Sequence, residues 1–401
     1  MTAPRTSALL GRLTESATLA MARKARELKD QGIDVISLSL GEPDFDTPDP
    51  IKEAGIAAIR ANDTHYTPVP GTAALRQAIS RKFLRDNGLT YTPEQIVVSN
   101  GAKQTIANAV LALVDPGDEV ILPAPYWVSY EDLVRLADGV PVILPTDISS
   151  DYKISPAQLR AALTPKSRML IFSSPCNPSG SVFTRAELEA LAAVLADFPE
   201  VIVISDEIYE LINFTGSHAS FAALPGMYDR TITVNGVSKG FAMTGWRLGY
   251  LGAPRWIADA CSTIQSQMTS APCSIAQAAA AAAVDADPSI ADGMRDAFLR
   301  RRDLMIAGLE QIPGFQVNCP PGAFYLFPDV SAVLGKTGNG MHIATSDDLA
   351  LYLLSEAHVA VVGGTPFGAP QCIRLSYAAS EEALREAAVR MKRAIEALHS
   401  R

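Results

Sequence analysis

Two stretches decide the fold: Met169-Leu-Ile-Phe-Ser173-Ser-Pro-Cys-Asn177-Pro-Ser-Gly180 and Val201-Ile-Val-Ile-Ser205-Asp-Glu-Ile-Tyr209, with a helical stretch over residues 184–197 between them. Each opens on an unbroken apolar run without alternation, the mark of a strand buried on both faces. Each then breaks into polar residues. The cadence repeats from about residue 90 to 255, where residues 95–99, 119–122, 140–144, 231–234 and 248–251 read as further strands and 102–113 as another helix. Strands alternating with helices imply βαβ units and a mostly parallel sheet flanked by helices. Such sheets bind ligands just beyond the carboxyl ends of their strands, which is where the polar residues considered below fall.

Past residue 285 the texture changes. Residues 288–312 read as one long charged helix, and 380–398, with Glu381 and Glu382 ahead of an apolar periodicity, as a well-capped amphipathic one. The α/β fold is therefore expected to divide into a large domain, residues 46–287, and a smaller α+β domain from residues 1–45 and 288–401. A chain of 401 residues suits two domains, and 48% hydrophobic with 19% charged residues is an ordinary globular composition. A net charge of −9 lacks the basic footprint that nucleic acid requires. The five cysteines include no C-x-x-C pair and the five histidines are scattered, so neither a metal centre nor a disulfide framework is expected. The thiols read as reduced and buried, in a cytoplasmic protein. Residues 1–24 carry no uninterrupted apolar core of the signal-peptide kind. The alanine-rich run 275–284 is too short to cross a bilayer and suits a buried helix.

The sharpest motif is Gly236-Val-Ser238-Lys239-Gly-Phe-Ala-Met-Thr-Gly-Trp-Arg247-Leu-Gly249. A lysine after a strand is ordinarily solvated. Here it is flanked by a hydroxyl and a guanidinium suited to phosphate, and a lysine amine against an apolar wall can form a Schiff base with an aldehyde cofactor. Asp206 reads either as a helix N-cap or as a carboxylate facing a cofactor. Asn177 lies in a Pro- and Gly-rich turn. Gly101, Ala102 and Lys103 open a helix directly after a strand, where free N–H groups and the helix dipole favour phosphate. Trp127 reads as a core aromatic, Tyr66 as a surface-turn tyrosine and Lys103 as an exposed lysine of a first helical turn. Arg374, inside the apolar run Cys372-Ile-Arg-Leu-Ser376, requires an anion, from a local acid or from a ligand.

The 236–249 stretch is similar to the lysine signature of the class I aminotransferases, the fold-type I enzymes of pyridoxal 5′-phosphate (PLP). The resemblance runs from Leu38-Ser-Leu-Gly41-Glu-Pro-Asp-Phe-Asp-Thr-Pro48 to Arg374-Leu-Ser-Tyr377. It is nearest to the bacterial aspartate aminotransferases of the one-gamma subgroup, some of which act on prephenate. It implies an aspartate aminotransferase-like fold with PLP on Lys239, which also moves the Cα proton. Asp206 then faces the pyridine nitrogen, Tyr209 and Asn177 the phenolic oxygen, and Trp127 stacks on the ring. Gly101, Ala102, Lys103, Ser238 and Arg247 form a phosphate cup, joined by Tyr66 from a neighbouring subunit, which implies a homodimer with shared active sites. Arg374 and Gly41 grip the substrate α-carboxylate; Trp127 and Asn177 also border the substrate, and Lys103 recognises a distal carboxylate. The implied reaction is a ping-pong exchange of an amino group between aspartate or glutamate and a 2-oxo acid. Aromatic, alanine or prephenate specificity stays open, Arg12 being a candidate contact for prephenate, as does a C–S lyase on the same fold. Leu40, where Ala is frequent, and Glu15, where Lys is frequent, depart from the family pattern near the substrate mouth.

Overall fold

The computed structural model describes residues 6–399, so the outermost residues of the 1–24 and 288–401 stretches lie outside it. Seven strands form the central sheet: β1 (Ile96–Ser99), β2 (Glu119–Pro123), β3 (Val140–Leu144), β4 (Ser167–Ser173), β5 (Ile202–Asp206), β6 (Thr231–Gly236) and β7 (Gly249–Gly252). Their spatial order is β1-β7-β6-β5-β4-β2-β3. All are parallel except β7, which runs antiparallel to both its neighbours. Each expected strand is present, shifted by a residue or two at its ends.

Alternate strand residues serve opposite faces, so each face needs its own cover. Val120, Leu122, Met169, Ile171 and Ile204 pack under Ile106, Ala109 and Val110 of the helix Ala102–Leu113 and under Ile257 and Cys261. Ile121, Leu170, Phe172 and Val203 pack on the other side against Leu188, Leu191 and Leu195 of the helix Arg185–Leu195. The expected alanine-rich helix is Ser274–Asp285, with Ala276, Ala279, Ala280 and Ala283 buried against Leu75, Ile79 and Phe83. Its small side chains permit close helix–helix approach.

A three-stranded antiparallel sheet lies beyond: Val362–Gly363, Ile373–Ser376 and Tyr325–Leu326, in that order. Helices Asp292–Leu309, Ser346–Glu356 and Glu381–Glu396 cover it. Met21 and Ala25 of the N-terminal helix Ala17–Asp30 join the same apolar cluster, as do Ile208 and Tyr209 from the turn after β5.

Residues 288–312 are not one helix. Asp287 caps a 3-10 turn, Pro288–Ala291, by accepting from Ser289 N at 2.9 Å, and the α-helix begins at Asp292. It ends at Leu309, ahead of Pro313, whose ring disfavours helical backbone in the residue before it. Ser380 caps the last helix, accepting from Ala383 N at 3.2 Å. The cysteines are all free, but Cys273 and Cys319 are exposed rather than buried, because each sits just outside a packed element. No helix among the described residues is long and apolar enough to cross a membrane.

Candidate active site

One edge of the central sheet collects the chemistry. The chain leaves β1 toward Ala102 and Lys103, β2 toward Trp127, β4 toward Asn177, β5 at Asp206 and β6 toward Ser238 and Lys239. These strands run the same way, so their carboxyl ends meet along one edge. Antiparallel β7 enters at that same edge, bringing Arg247 in from its amino end. The result is a cleft of ≈ 330 Å³ lined by Gly41, Ala102, Lys103, Trp127, Asn177, Asp206, Tyr209, Ser238, Lys239, Arg247 and Arg374. Gly101 lies directly behind it. A Cβ there would come within 2.5 Å of the Arg247 guanidinium, and its φ of +87° suits glycine. Tyr66, like Gly101, does not line the cleft, and unlike Gly101 it does not lie against it but is fully exposed.

Lys239 donates from Nζ to Gly41 O at 2.5 Å and lies 5.9 Å from the ring centres of Tyr209 and Phe324. Burial lowers its amine, and neighbouring Arg374 acts in the same direction; the pKa falls to about 8. Gly41 has no room for a side chain, since a Cβ would overlap the Tyr325 hydroxyl.

Asp206 is the last residue of β5 and is buried. Its Oδ1 accepts from Ile208 N at 3.3 Å, but a short turn follows rather than a helix, so it is not an N-cap. Burial pushes the carboxyl up to about 6, against the Tyr130 bond that favours its charged form. Tyr209 shares a 2.7 Å hydrogen bond with the Tyr325 hydroxyl.

Arg374, 1% exposed, takes no carboxylate partner among the described residues. Its guanidinium donates to Asn177 Oδ1 at 2.9 Å, Ser39 O at 2.5 Å and Thr18 Oγ1 at 3.4 Å, all neutral, and Nε is buried without a partner. It lies 4.7 Å from the ring centre of Tyr325 and 5.0 Å from that of Phe367. Lys103 is exposed but not free: its Nζ sits 5.1 Å from the ring centre of Trp127, and desolvation there, with Arg247 nearby, holds its amine below the usual lysine range. At the helix start, the N–H groups of Ala102 and Lys103 have no intrahelical acceptor.

The sequence reading missed Tyr130, Tyr325, Ser39 and Thr18. Tyr130 stands one helical turn after Trp127, a spacing that puts two side chains on one side. Tyr325 interrupts the apolar run Ala323-Phe-Tyr-Leu-Phe327 with a hydroxyl that burial obliges to find a partner. Neither Arg12 nor Glu15 lines the cleft: both border a neighbouring hollow, where Arg12 is engaged with Asp138, and Glu15 pairs with Arg23 at 3.1 Å.

The family model described as aminotransferase class I and II matches residues 33–391. The chain is 53% identical, over 385 residues, to a bifunctional aspartate aminotransferase and glutamate/aspartate-prephenate aminotransferase of Petunia hybrida, covering 95% of this chain and 80% of that protein. It is 49% identical over 386 residues to an aspartate/prephenate aminotransferase of Cereibacter sphaeroides, covering 96% of both. The crystal structure of the aspartate aminotransferase from Rhizobium meliloti superposes with a TM-score of 0.95 at 43% identity, covering 99% of this chain and 100% of that one.

Proposed function

This chain belongs to the class I and II aminotransferases, and from that premise we propose that it binds PLP at Lys239 and exchanges an amino group between an acidic L-amino acid and a 2-oxo acid. The observation that carries the reading is the buried, uncompensated Arg374 beside the low-pKa Lys239. A buried guanidinium bonded only to neutral oxygens favours an incoming anion, and an amino acid brings a carboxylate to it together with the amine that the reaction moves.

The donor set fits the cofactor. Arg247, Ser238 and the free N–H groups of Ala102 and Lys103 suit a phosphate. Asp206 suits a ring nitrogen, Tyr209 and Asn177 a phenolic oxygen, and Trp127 a stacked ring. When bound, PLP supplies a protonated pyridine ring that takes up the negative charge developing at the substrate Cα.

The protein's own groups do the rest. Asp206 keeps the ring nitrogen protonated by presenting a carboxylate to it. Arg374, with Gly41 beside it, holds the α-carboxylate and so orients the Cα–H bond. The Lys239 amine, neutral above about pH 8 even before a cofactor binds, is the base that would take the proton from Cα and hold it for return. Lys103, over the Trp127 ring at the mouth, has no carboxylate bonded to it among the described residues and can meet a second one, which favours aspartate or glutamate over alanine or phenylalanine. Prephenate, which also has two carboxylates, fits the same pair of cations.

The proposal extends to the organisation of the chain. Residues 46–287 form the PLP-binding domain, and 1–45 with 288–401 the smaller one, supported by separate apolar clusters on either side of the cleft. The protein works as a homodimer in which Tyr66 completes the partner's phosphate cup, supported by its full exposure. Its free cysteines suit the cytoplasm.

The test is a half-reaction. PLP-loaded protein is mixed with L-aspartate and no acceptor, and oxaloacetate is measured. Release matching the number of active sites supports the reading. Release only of pyruvate from alanine, or of phenylpyruvate from phenylalanine, keeps the reaction but overturns the substrate; ammonia with pyruvate from cysteine points to a lyase.

A further inference from the structure

The turn that carries Asp206 and Tyr209 into the cleft sends two other carboxylates the opposite way. Glu207 is 0% exposed and Glu210 8%, and neither lines the cleft. Buried carboxylates survive only when paired and hydrogen-bonded, and these two share one network. Lys82 pairs with Glu210 and donates to Asn87 Oδ1 at 2.7 Å. Asn87 Nδ2 donates to Glu210 Oε2 and to Ser220 Oγ, both at 2.8 Å. Ser220 donates to Glu207 Oε2 at 2.6 Å, His218 Nε2 lies 2.8 Å from that oxygen, and Ser205 Oγ donates to Glu207 Oε1 at 2.8 Å. The turn is thus anchored one residue after each cleft-facing group.

Charge decides what His218 is doing there. The network continues through Asp86, 3.7 Å from Lys82, to Arg85, 2.6 Å from Asp86. Three carboxylates (Asp86, Glu207, Glu210) then face two fixed cations (Lys82, Arg85). The balance is −1 with a neutral imidazole and zero with a protonated one. Tyr91 and Tyr250, the other titratable side chains packed on the cluster, are held in their neutral form by burial. His218 Nδ1 is buried without a partner among the described residues in either state, so the balance rests on charge. Burial opposes a charged imidazole, but the Glu207 charge and hydrogen bond outweigh it and raise the pKa. Although Glu207, Glu210 and His218 are grouped closely enough to hold a metal ion, the Lys82 ammonium already supplies a cation.

We propose that His218, protonated, is a positioning residue: it neutralises Glu207 and so holds the Asp206–Tyr209 turn in the cleft. This rests on the reading that Asp206 and Tyr209 face PLP. Because the folded-state pKa is raised, the contribution is complete below the ordinary histidine value of about 6.5. It is lost as the pH rises through the raised value.

The experiment compares the full-length wild type with His218→Asn, Glu207→Gln and the double variant, reading PLP affinity and thermal melting against pH, and the His218 imidazole titration by NMR. His218→Asn strands a buried negative charge, so PLP affinity falls roughly tenfold at pH 6.5, and the alkaline decline in melting temperature expected of the wild type disappears. Removing both partners restores the balance, so the double variant recovers most of the affinity and the melting temperature. An alkaline decline that persists in His218→Asn, a double variant no better than the single one, or an imidazole titrating at or below about 6.5 overturns the proposal. Failure to bind PLP at all overturns the functional reading instead, and leaves the imidazole titration and the melting-temperature coupling to judge the network.

Discussion

Tyr130 Oη donates a 2.7 Å hydrogen bond to Asp206 Oδ2, and both side chains are buried at the floor of the cleft. Burial pushes the Asp206 carboxyl up to about 6, and the Tyr130 bond is the strongest influence holding it down. Tyr130→Phe removes a bond to a charged acceptor, about 1.5–3 kcal/mol, so the carboxyl should titrate about one to two units higher. On the proposed reading Asp206 works as a carboxylate, so the acid limb of kcat/KM should move to higher pH by that amount. A limb that stays in place shows that Tyr130 does not hold the charge.

Lys239 yields a prediction on the unloaded chain. Its amine, lowered to about 8, is protonated in the folded protein below that pH and neutral above it. Only the neutral amine attacks an aldehyde. The rate of covalent PLP capture should therefore climb with pH and level off above about 8, well below the ordinary lysine value of about 10.4. Lys239→Ala should abolish both capture and turnover. A capture rate still climbing beyond pH 9 contradicts the lowered pKa.

The strands and the residues just beyond them were legible because a strand buried on both faces leaves a continuous apolar run, and the point where polarity returns marks its end. That logic located Asn177, Asp206 and Lys239 on one edge. It could not settle what Asp206 does, because an N-cap and a strand-end carboxylate look alike until the following turn is seen not to be helical. Ser39 and Thr18 stayed hidden for another reason: long-range packing brings them to the site, and their local sequence carries no mark of it, whereas Tyr130 and Tyr325 carried local signals that only a known site makes meaningful. The break at Pro288–Ala291 shows the same limit at small scale, a capped 3-10 turn interrupting what charge pattern alone reads as one helix.

Lys103 should separate substrates. Its ammonium stands over Trp127 at the mouth of the cleft without a carboxylate bonded to it among the described residues. Lys103→Met keeps the side chain's length and removes the charge. The kcat/KM for aspartate should fall about tenfold, the scale of one hydrogen bond to a charged group at a partly exposed site. The value for alanine should barely change. Equal losses on both substrates assign Lys103 to the cofactor's phosphate instead.

Tyr66 is fully exposed in its own chain, which suits a side chain whose partner lies on a second subunit. Tyr66→Phe should weaken PLP affinity without lowering the melting temperature of the unloaded protein. PLP retention in the wild type should also fall on dilution, tracked by sedimentation together with dissociation of the dimer. Retention independent of protein concentration, at dilutions where only monomer sediments, removes Tyr66 from the phosphate cup.

Arg374 should show function and stability pulling in opposite directions. In the unloaded cleft its guanidinium is buried against Tyr325 and Phe367 with only neutral oxygens as partners, and desolvation lowers its pKa. A charge buried on those terms costs stability that an apolar side chain of similar volume does not. Arg374→Met should therefore leave the unloaded protein as stable as the wild type or raise its melting temperature by about 1 °C per kcal/mol gained. On the proposed reading the same change removes one partner of the charge pair with the substrate α-carboxylate, so kcat/KM for aspartate should drop on the order of a thousandfold. Succinate, which offers carboxylates but no amine, should raise the melting temperature of the wild type and not of the variant, because ligand binding stabilises only the state that binds it. A variant that melts several degrees lower, yet still gains stability from succinate, means that Arg374 serves the fold and that the substrate carboxylate is held elsewhere.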